Sequence, residues 1–173
     1  DLLGAVDLHG KTLAVIGCGR IGSRVSRMCS AGLGMRVLTY DPYITDEQAA
    51  AAGAERRPTL TEVLRAADVV TLHTPLTDET RHMIGATQFA MMKPTAYLIN
   101  TARGPVVDEA ALLAALRAGQ IAGAGLDVYE KEPTTPDNPL FVMPNVVCTP
   151  HSAGSSLECM QRIATTVAHG ILD

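Results

Sequence analysis

Three residues in this chain carry the chemical types that a hydride transfer to a carbonyl demands. They are Arg103 in Asn100-Thr101-Ala102-Arg103-Gly104, Glu132 in Tyr129-Glu130-Lys131-Glu132-Pro133, and His151 in Thr149-Pro150-His151. A guanidinium clamps a carboxylate through two parallel hydrogen bonds. An imidazolium gives a proton to a carbonyl oxygen as hydride reaches the carbon. A carboxylate beside that imidazole favours its charged form and orients the ring. Each residue also has an ordinary reading: Arg103 as a turn residue, His151 as a cap on the last helix, Glu132 as a solvated loop charge.

A hydride needs a carrier, and Gly17-Cys18-Gly19-Arg20-Ile21-Gly22 has the G-x-G-x-x-G spacing of a dinucleotide turn. Glycines alone are weak markers, but this set follows an apolar run and opens a helical one. Gly17 permits the tight turn, Gly19 a close approach to pyrophosphate, and Gly22 close packing of helix on strand. The helix start then favours an anion. Asp41 follows the second apolar run, at the spacing of about 20 residues expected of the acid that holds the adenosine ribose. A carboxylate there repels a 2′-phosphate, which favours NAD over NADP. Asp41-Pro42 also reads as a turn start. Flavin and S-adenosylmethionine sites share this geometry, so Asp41 alone does not identify nicotinamide.

The elements that must position these groups alternate along the chain. Short apolar runs predict strands at 12–16, 36–40, 69–73, 96–100, 124–128 and 145–148. Helices are expected over 19–31, 45–52, 60–67, 85–92, 108–119 and 155–169, with Thr59 or Thr61 capping the third and Asp108 the fifth. This order predicts an α/β fold, a Rossmann-type doubly wound parallel sheet with helices on both faces. Ligands of such sheets lie beyond the carboxyl ends of the strands. His73-Thr74-Pro75, Thr101 to Gly104, Asp127 to Pro133 and Thr149 to His151 all fall there. The stretch 130–144 is the longest without a predicted element.

Composition narrows the classes. The chain has 173 residues, 47% hydrophobic and 18% charged, which suits one folded domain with a sizeable core. A net charge of -4 speaks against a nucleic-acid surface. No apolar run approaches the ~18 residues of a membrane span. Cys18, Cys29, Cys148 and Cys159 fit no zinc spacing and read as reduced, mostly buried apolar residues, so no metal is expected. The opening residues lack the features of a secretory signal. A cytoplasmic location is the expectation.

With the glycine turn and Asp41, the Asn100 to Gly104 segment followed by Val107-Asp108, Leu126-Asp127-Val128 with Glu132-Pro133, and Thr149-Pro150-His151 in this order, the chain resembles the D-isomer-specific 2-hydroxyacid dehydrogenases over nearly its whole length. That resemblance implies NAD as cofactor and a 2-hydroxy or 2-keto acid as substrate. It implies that Arg103 binds the substrate carboxylate, that His151 is the acid/base, and that Glu132 is its partner. Asp127 would contact the carboxamide side of the nicotinamide, and Pro75, Thr80 and Thr101 would line the cleft. Arg20, Ile21, Pro42, His73, Ala102 and Ala153 complete the expected cofactor contacts, together with Arg103 and His151. The family also suggests a homodimer through the cofactor domain, and the apolar stretches 139–147 and 120–125 are its candidate surfaces. Family members are about twice this length, so residues 1–173 are read as the NAD-binding domain, with the discontinuous substrate domain lying outside them. Two other functions share such a domain: an NAD-sensing corepressor of the C-terminal-binding-protein type, and an adenosylhomocysteine-hydrolase-like enzyme. The R-G and P-H motifs disfavour the second.

Overall fold

The computed structural model describes residues 6–172. Among these, seven parallel strands form one sheet: β1 (Thr12–Ile16), β2 (Arg36–Tyr40), β3 (Glu55–Arg56), β4 (Val69–Leu72), β5 (Tyr97–Asn100), β6 (Gly123–Leu126) and β7 (Val146–Cys148). Their order is β3-β2-β1-β4-β5-β6-β7, so the winding reverses between β1 and β4. The helices are α1 (Gly22–Arg27), α2 (Asp46–Ala51), α3 (Leu60–Ala66), α4 (Ala86–Phe89), α5 (Glu109–Arg117) and α6 (Leu157–Leu172).

Strand β1 shows how the apolar sequence becomes two layers. Successive side chains of a strand point to opposite faces. Leu13 and Val15 join Met35, Val37 and Ala54 on one face, with Val25 of α1 packed against them. Ala14 and Ile16 join Leu38, Leu72 and, from α3, Val63 and Leu64 on the other. A strand buried on both sides has to be apolar throughout, and TLAVI is. The fold is therefore doubly wound, as the sequence predicts.

Register brings the strand ends level. Ile16 pairs with Tyr40 and Leu72, Leu72 with Asn100, Asn100 with Leu126, and Leu126 with Cys148. The residues that follow this row are Gly17, Asp41, His73, Thr101, Asp127 and Thr149. All the expected chemistry leaves the sheet along one edge.

Several boundaries differ from expectation. The first helix starts at Gly22 rather than Gly19, because residues 19–21 form the turn itself, and it passes into a wider π-helical turn over Met28–Gly32. The helix expected over 85–92 is one turn, Ala86–Phe89, anchored by the fully buried Phe89. Strand β3 was not expected; its two residues, Glu55 and Arg56, carry no apolar signal and are held by backbone pairing to Leu38 and Thr39. Thr59 rather than Thr61 caps α3, accepting the Glu62 N–H at 3.3 Å. Asp108 caps α5 as expected, accepting from Ala111 at 2.9 Å. Within 130–144 there is a short 3-10 turn, Pro139–Val142, capped by Asn138 and pinned by buried Leu140. Of the four cysteines only Cys18 is buried; all four are free thiols. The 120–125 stretch is not a surface, since Ile121, Gly123 and Ala124 are buried. Among the described residues no helix is long and apolar enough to cross a membrane.

Candidate active site

The glycine turn is built by contacts that only glycine allows. Gly17 has φ 87°, and a Cβ on it would press on the backbone of His73 at 2.9 Å. A Cβ on Gly22 would collide with the Gly17 carbonyl and touch Val15 at 3.1 Å. Gly19 is different: a Cβ there meets nothing within 4 Å. Gly17 and Gly22 are thus required by the fold, whereas Gly19 faces open space in the cleft.

Asp41 ties the turn to β2. Its Oδ2 accepts the Cys18 N–H at 2.8 Å and its Oδ1 the Tyr43 N–H at 2.9 Å. Each carboxylate oxygen keeps a second lone pair for a ribose hydroxyl. Beside it runs a cleft of about 550 Å³ lined by Gly17, Gly19, Tyr40 to Tyr43, His73 to Pro75 and Thr77 to Thr80. A second part of about 420 Å³ shares His73, Thr74 and Pro75 and continues to Ile21, Leu76, Thr101, Ala102 and Arg103. The two parts run from the acid at β2 to the arginine beyond β5, crossing the reversal point between β1 and β4, where doubly wound sheets take a dinucleotide. Sequence reasoning placed Thr74 in a ligand-side segment without giving it a role, and missed Tyr43 and Glu79. The Thr74 hydroxyl is buried with no hydrogen-bond partner, a polar group that a bound cofactor would satisfy. Tyr43 donates its hydroxyl to Glu79 at 3.3 Å, linking the loops after β2 and β4. The orphaned hydroxyl, the space at Gly19 and the carboxylate at Asp41 fit a dinucleotide.

Of the other expected cofactor residues, Ile21, Pro42, His73, Pro75, Thr80, Thr101, Ala102 and Arg103 line the cleft, while Arg20 is exposed and lines neither part. Burial pulls the His73 imidazole below the ordinary histidine range. Thr80 is fixed by a 2.6 Å bond to the Pro75 carbonyl.

At the far end, Asn100 shapes the arginine turn. Its side chain, 1% exposed, accepts from Ala102 N–H and donates to the Arg103 carbonyl, both at 3.0 Å. Arg103 is exposed, with Nη1 on the Ala102 carbonyl. His151 Nδ1 lies 2.7 Å from Glu132 Oε2, and Glu132 Oε1 accepts the Tyr129 N–H at 2.9 Å. The side chains are 48% and 35% exposed. An ion pair that open contributes about 0–1 kcal/mol, so its effect is to orient the ring rather than to hold the fold. Partial burial raises the Glu132 pKa, but the Tyr129 amide and His151 outweigh it and leave the carboxyl below its ordinary range.

Asp127 lines neither part of the cleft. It faces the loop after β7, accepting from the Thr149 hydroxyl, Ser152 N–H at 3.0 Å and Ala153 N–H at 3.1 Å. Burial would raise its pKa; these donors prevail and keep it low. Three donors on one buried carboxylate clip down the loop that presents His151. Ala153, expected at the cofactor, is a member of that clip.

A parallel doubly wound sheet, a glycine turn closed on an acid, and an Arg, Glu and His along the same edge define a dinucleotide-binding domain of the oxidoreductase type. Comparison with known proteins places it more closely. Residues 2–153 match the D-isomer specific 2-hydroxyacid dehydrogenase NAD-binding domain, and the chain belongs to that family as its NAD-binding domain. It is 49% identical over 166 residues to glyoxylate reductase of Korarchaeum cryptofilum, covering 96% of this chain and 49% of that protein. It is 47% identical to D-3-phosphoglycerate dehydrogenase of Methanocaldococcus jannaschii, covering 96% of this chain and 31% of that one. The chain thus spans half or less of these relatives. Among solved structures, D-lactate dehydrogenase from Aquifex aeolicus complexed with NAD and lactic acid superposes with a TM-score of 0.86 at 38% identity, over 96% of this chain and 54% of that one. The NAD-complexed D-isomer specific 2-hydroxyacid dehydrogenase of Lactobacillus delbrueckii ssp. bulgaricus gives 0.88 at 38% identity, over 98% and 56%.

Proposed function

We propose that this chain is the cofactor half of an NAD-dependent D-2-hydroxyacid dehydrogenase, with residues 1–173 forming the NAD-binding domain and a substrate domain supplying the opposite wall. The observation that carries the reading is the 2.7 Å His151–Glu132 pair on the same sheet edge as the glycine turn and Arg103. NADH, when bound, supplies the hydride. Gly17, Gly19 and Thr74 would receive it, and Asp41 would hold its ribose and disfavour NADP. Arg103 swings from its own backbone to the substrate carboxylate and fixes the keto acid in place. Glu132 holds His151 through Nδ1, which leaves Nε2 to protonate the carbonyl oxygen and, in the reverse direction, to take the hydroxyl proton. Asp127 acts on this chemistry by holding the His151 loop. The named relatives are reductases and dehydrogenases, and they lend nothing to the corepressor reading. A cytoplasmic location and a homodimer through the cofactor domain accompany the proposal.

Calorimetry with NAD and NADP tests the cofactor half: this chain binds NAD more tightly, and Asp41→Ser weakens NAD and narrows the difference. Equal wild-type affinities would remove Asp41 from the ribose. For the catalytic half, His151→Ala in the full-length enzyme lowers turnover by roughly 10²–10⁴-fold with NAD affinity unchanged. Wild-type turnover in that variant would overturn the assignment. The isolated chain leaves the keto acid in an open, hydrated cleft, so it binds NAD with little or no turnover.

A further inference from the structure

A second histidine–glutamate pair lies beside the first. His82 Nε2 is 2.7 Å from Glu130 Oε1, and Glu130 precedes Glu132 by two residues. His82 and His151 both have left-handed backbones, φ 53° and 54°, a region that residues other than glycine occupy when their surroundings hold them there. The proposed chemistry uses only the His151 pair. The other is joined to the loop that carries Glu132. Glu130 Oε2 accepts the Glu109 N–H at 3.1 Å, and Glu109 Oε2 accepts the Glu130 N–H at 3.0 Å. Asn138 donates to Glu109 Oε1 at 2.8 Å. His82 is anchored in turn, its N–H donating to the Pro105 carbonyl at 2.8 Å, in the turn that follows Arg103. Gly104 closes the arrangement: a Cβ there would run into the Tyr129 carbonyl and the Glu130 nitrogen. The Arg103 turn and the Glu132 loop therefore lie backbone against backbone.

From this geometry we infer that Glu130, held by His82 and Glu109, is a positioning residue that fixes the Tyr129-to-Glu132 loop so that Glu132 meets His151, with Gly104 setting the loop's distance from Arg103. This role rests on the assignment of Glu132 and His151 above. The two histidine–glutamate pairs are comparably open, and neither alone holds the loop; the reciprocal Glu109–Glu130 backbone bonds and the close contact at Gly104 do so, with His82 adding to them. That loop is fastened at Tyr129, whose hydroxyl donates to the Thr149 carbonyl at 2.9 Å, and at Glu130. Tyr129 ties it toward the His151 side, and Glu130 ties it toward α5 and the Arg103 turn.

Nuclear magnetic resonance on this chain separates the possibilities. The readouts are the Tyr129 amide exchange rate, the Glu132 carboxyl titration and the His151 Nδ1–H resonance. In Glu130→Ala, Tyr129 exchange speeds up about tenfold, the scale of one lost charge-assisted hydrogen bond. The Glu132 titration moves up toward the ordinary carboxylate range, and the Nδ1–H signal broadens. Glu130→Gln, which retains an acceptor for the Glu109 amide, restores most of the wild-type behaviour. His82→Ala removes one of the groups that hold Glu130 and gives a smaller change in the same direction, and it decides the matter if Glu130→Ala does not fold. Unchanged Tyr129 exchange and Glu132 titration in the folded variants overturn the positioning role. Glu132→Ala, which removes the acceptor outright, is the control for the underlying pair: if the Nδ1–H signal survives that change, the Glu132–His151 reading itself fails, whatever Glu130 does.

Discussion

At the scale of single residues, the three motif glycines do different things, and the structure tells them apart. Gly22→Ala drives a Cβ into the Gly17 carbonyl. Overpacking of that kind costs about 1–3 kcal/mol, which lowers the melting temperature by roughly 2–4 °C for each kcal/mol in a chain of this size. Gly19→Ala meets no protein atom within 4 Å, so its thermal unfolding matches wild type while its NAD affinity falls at least tenfold in calorimetry. Equal loss of stability in both variants would mean that Gly19 also serves the fold. In the proposed function Asp41 would carry two tasks at once: its carboxylate would accept the ribose hydroxyls, and the same carboxylate closes the turn through Cys18. Its replacement is therefore to be judged by the ratio of NAD to NADP affinity, which cancels the loss common to both.

At the scale of elements, β7 is one of the two edge strands of the sheet. Val147 on it is 69% exposed, and Val142 in the preceding 3-10 turn is 84% exposed. An edge strand with apolar side chains in solvent is a pairing surface unless something covers it. A second copy of this domain is the proposed cover, and the 139–147 stretch is where the sequence expected it. Light scattering of the wild-type chain then gives a dimer, and Val142→Asp with Val147→Asp gives a folded monomer. A wild-type monomer at high concentration would refute the dimer for this chain. Helix α6 presents Leu157, Met160, Ile163, Val167 and Ile171 to solvent.

For the whole molecule, acid is the informative perturbation. Asp68, Asp127 and Glu132 all sit below the ordinary carboxylate range. A carboxyl with a depressed folded-state pKa contributes stability that is present above its unfolded value, about pH 4, and is lost as pH falls through the lowered folded value. His73 acts in the same direction at higher pH. Burial keeps it neutral, so stability falls as pH drops from its ordinary value near 6.5 toward its lowered one. The melting temperature is therefore highest above about pH 7 and declines in two stages on acidification. Ser152 and Ala153 amides, which bond Asp127, lose exchange protection in the second stage. A melting temperature that rises between pH 7 and pH 5 would contradict this assignment.

The fold class is legible in the sequence, and so are the candidates for the glycine turn, its acid Asp41, and Arg103, Glu132 and His151. Each of these is announced locally: TLAVI between glycines reads as a strand buried on both faces, the glycines have fixed spacing, and the candidate residues lie in the segments that follow strand ends. The Asp108 cap is legible too, because an N-cap bonds its own first turn. What depends on neighbours distant in the chain is visible only in the folded molecule. Strand β3 exists because β2 offers a free edge, and its own residues give no sign of it. Asp127 faces the His151 loop because Thr149, Ser152 and Ala153 bring their donors to it from more than 20 residues away. Thr74 shows itself only as a buried hydroxyl left without a partner. The His82–Glu130 pair spans 48 residues, and Gly104 matters because another backbone lies against it. Periodicity and spacing report what a segment does with its own neighbours; which carboxylate answers which donor is set only when the sheet brings the loops together.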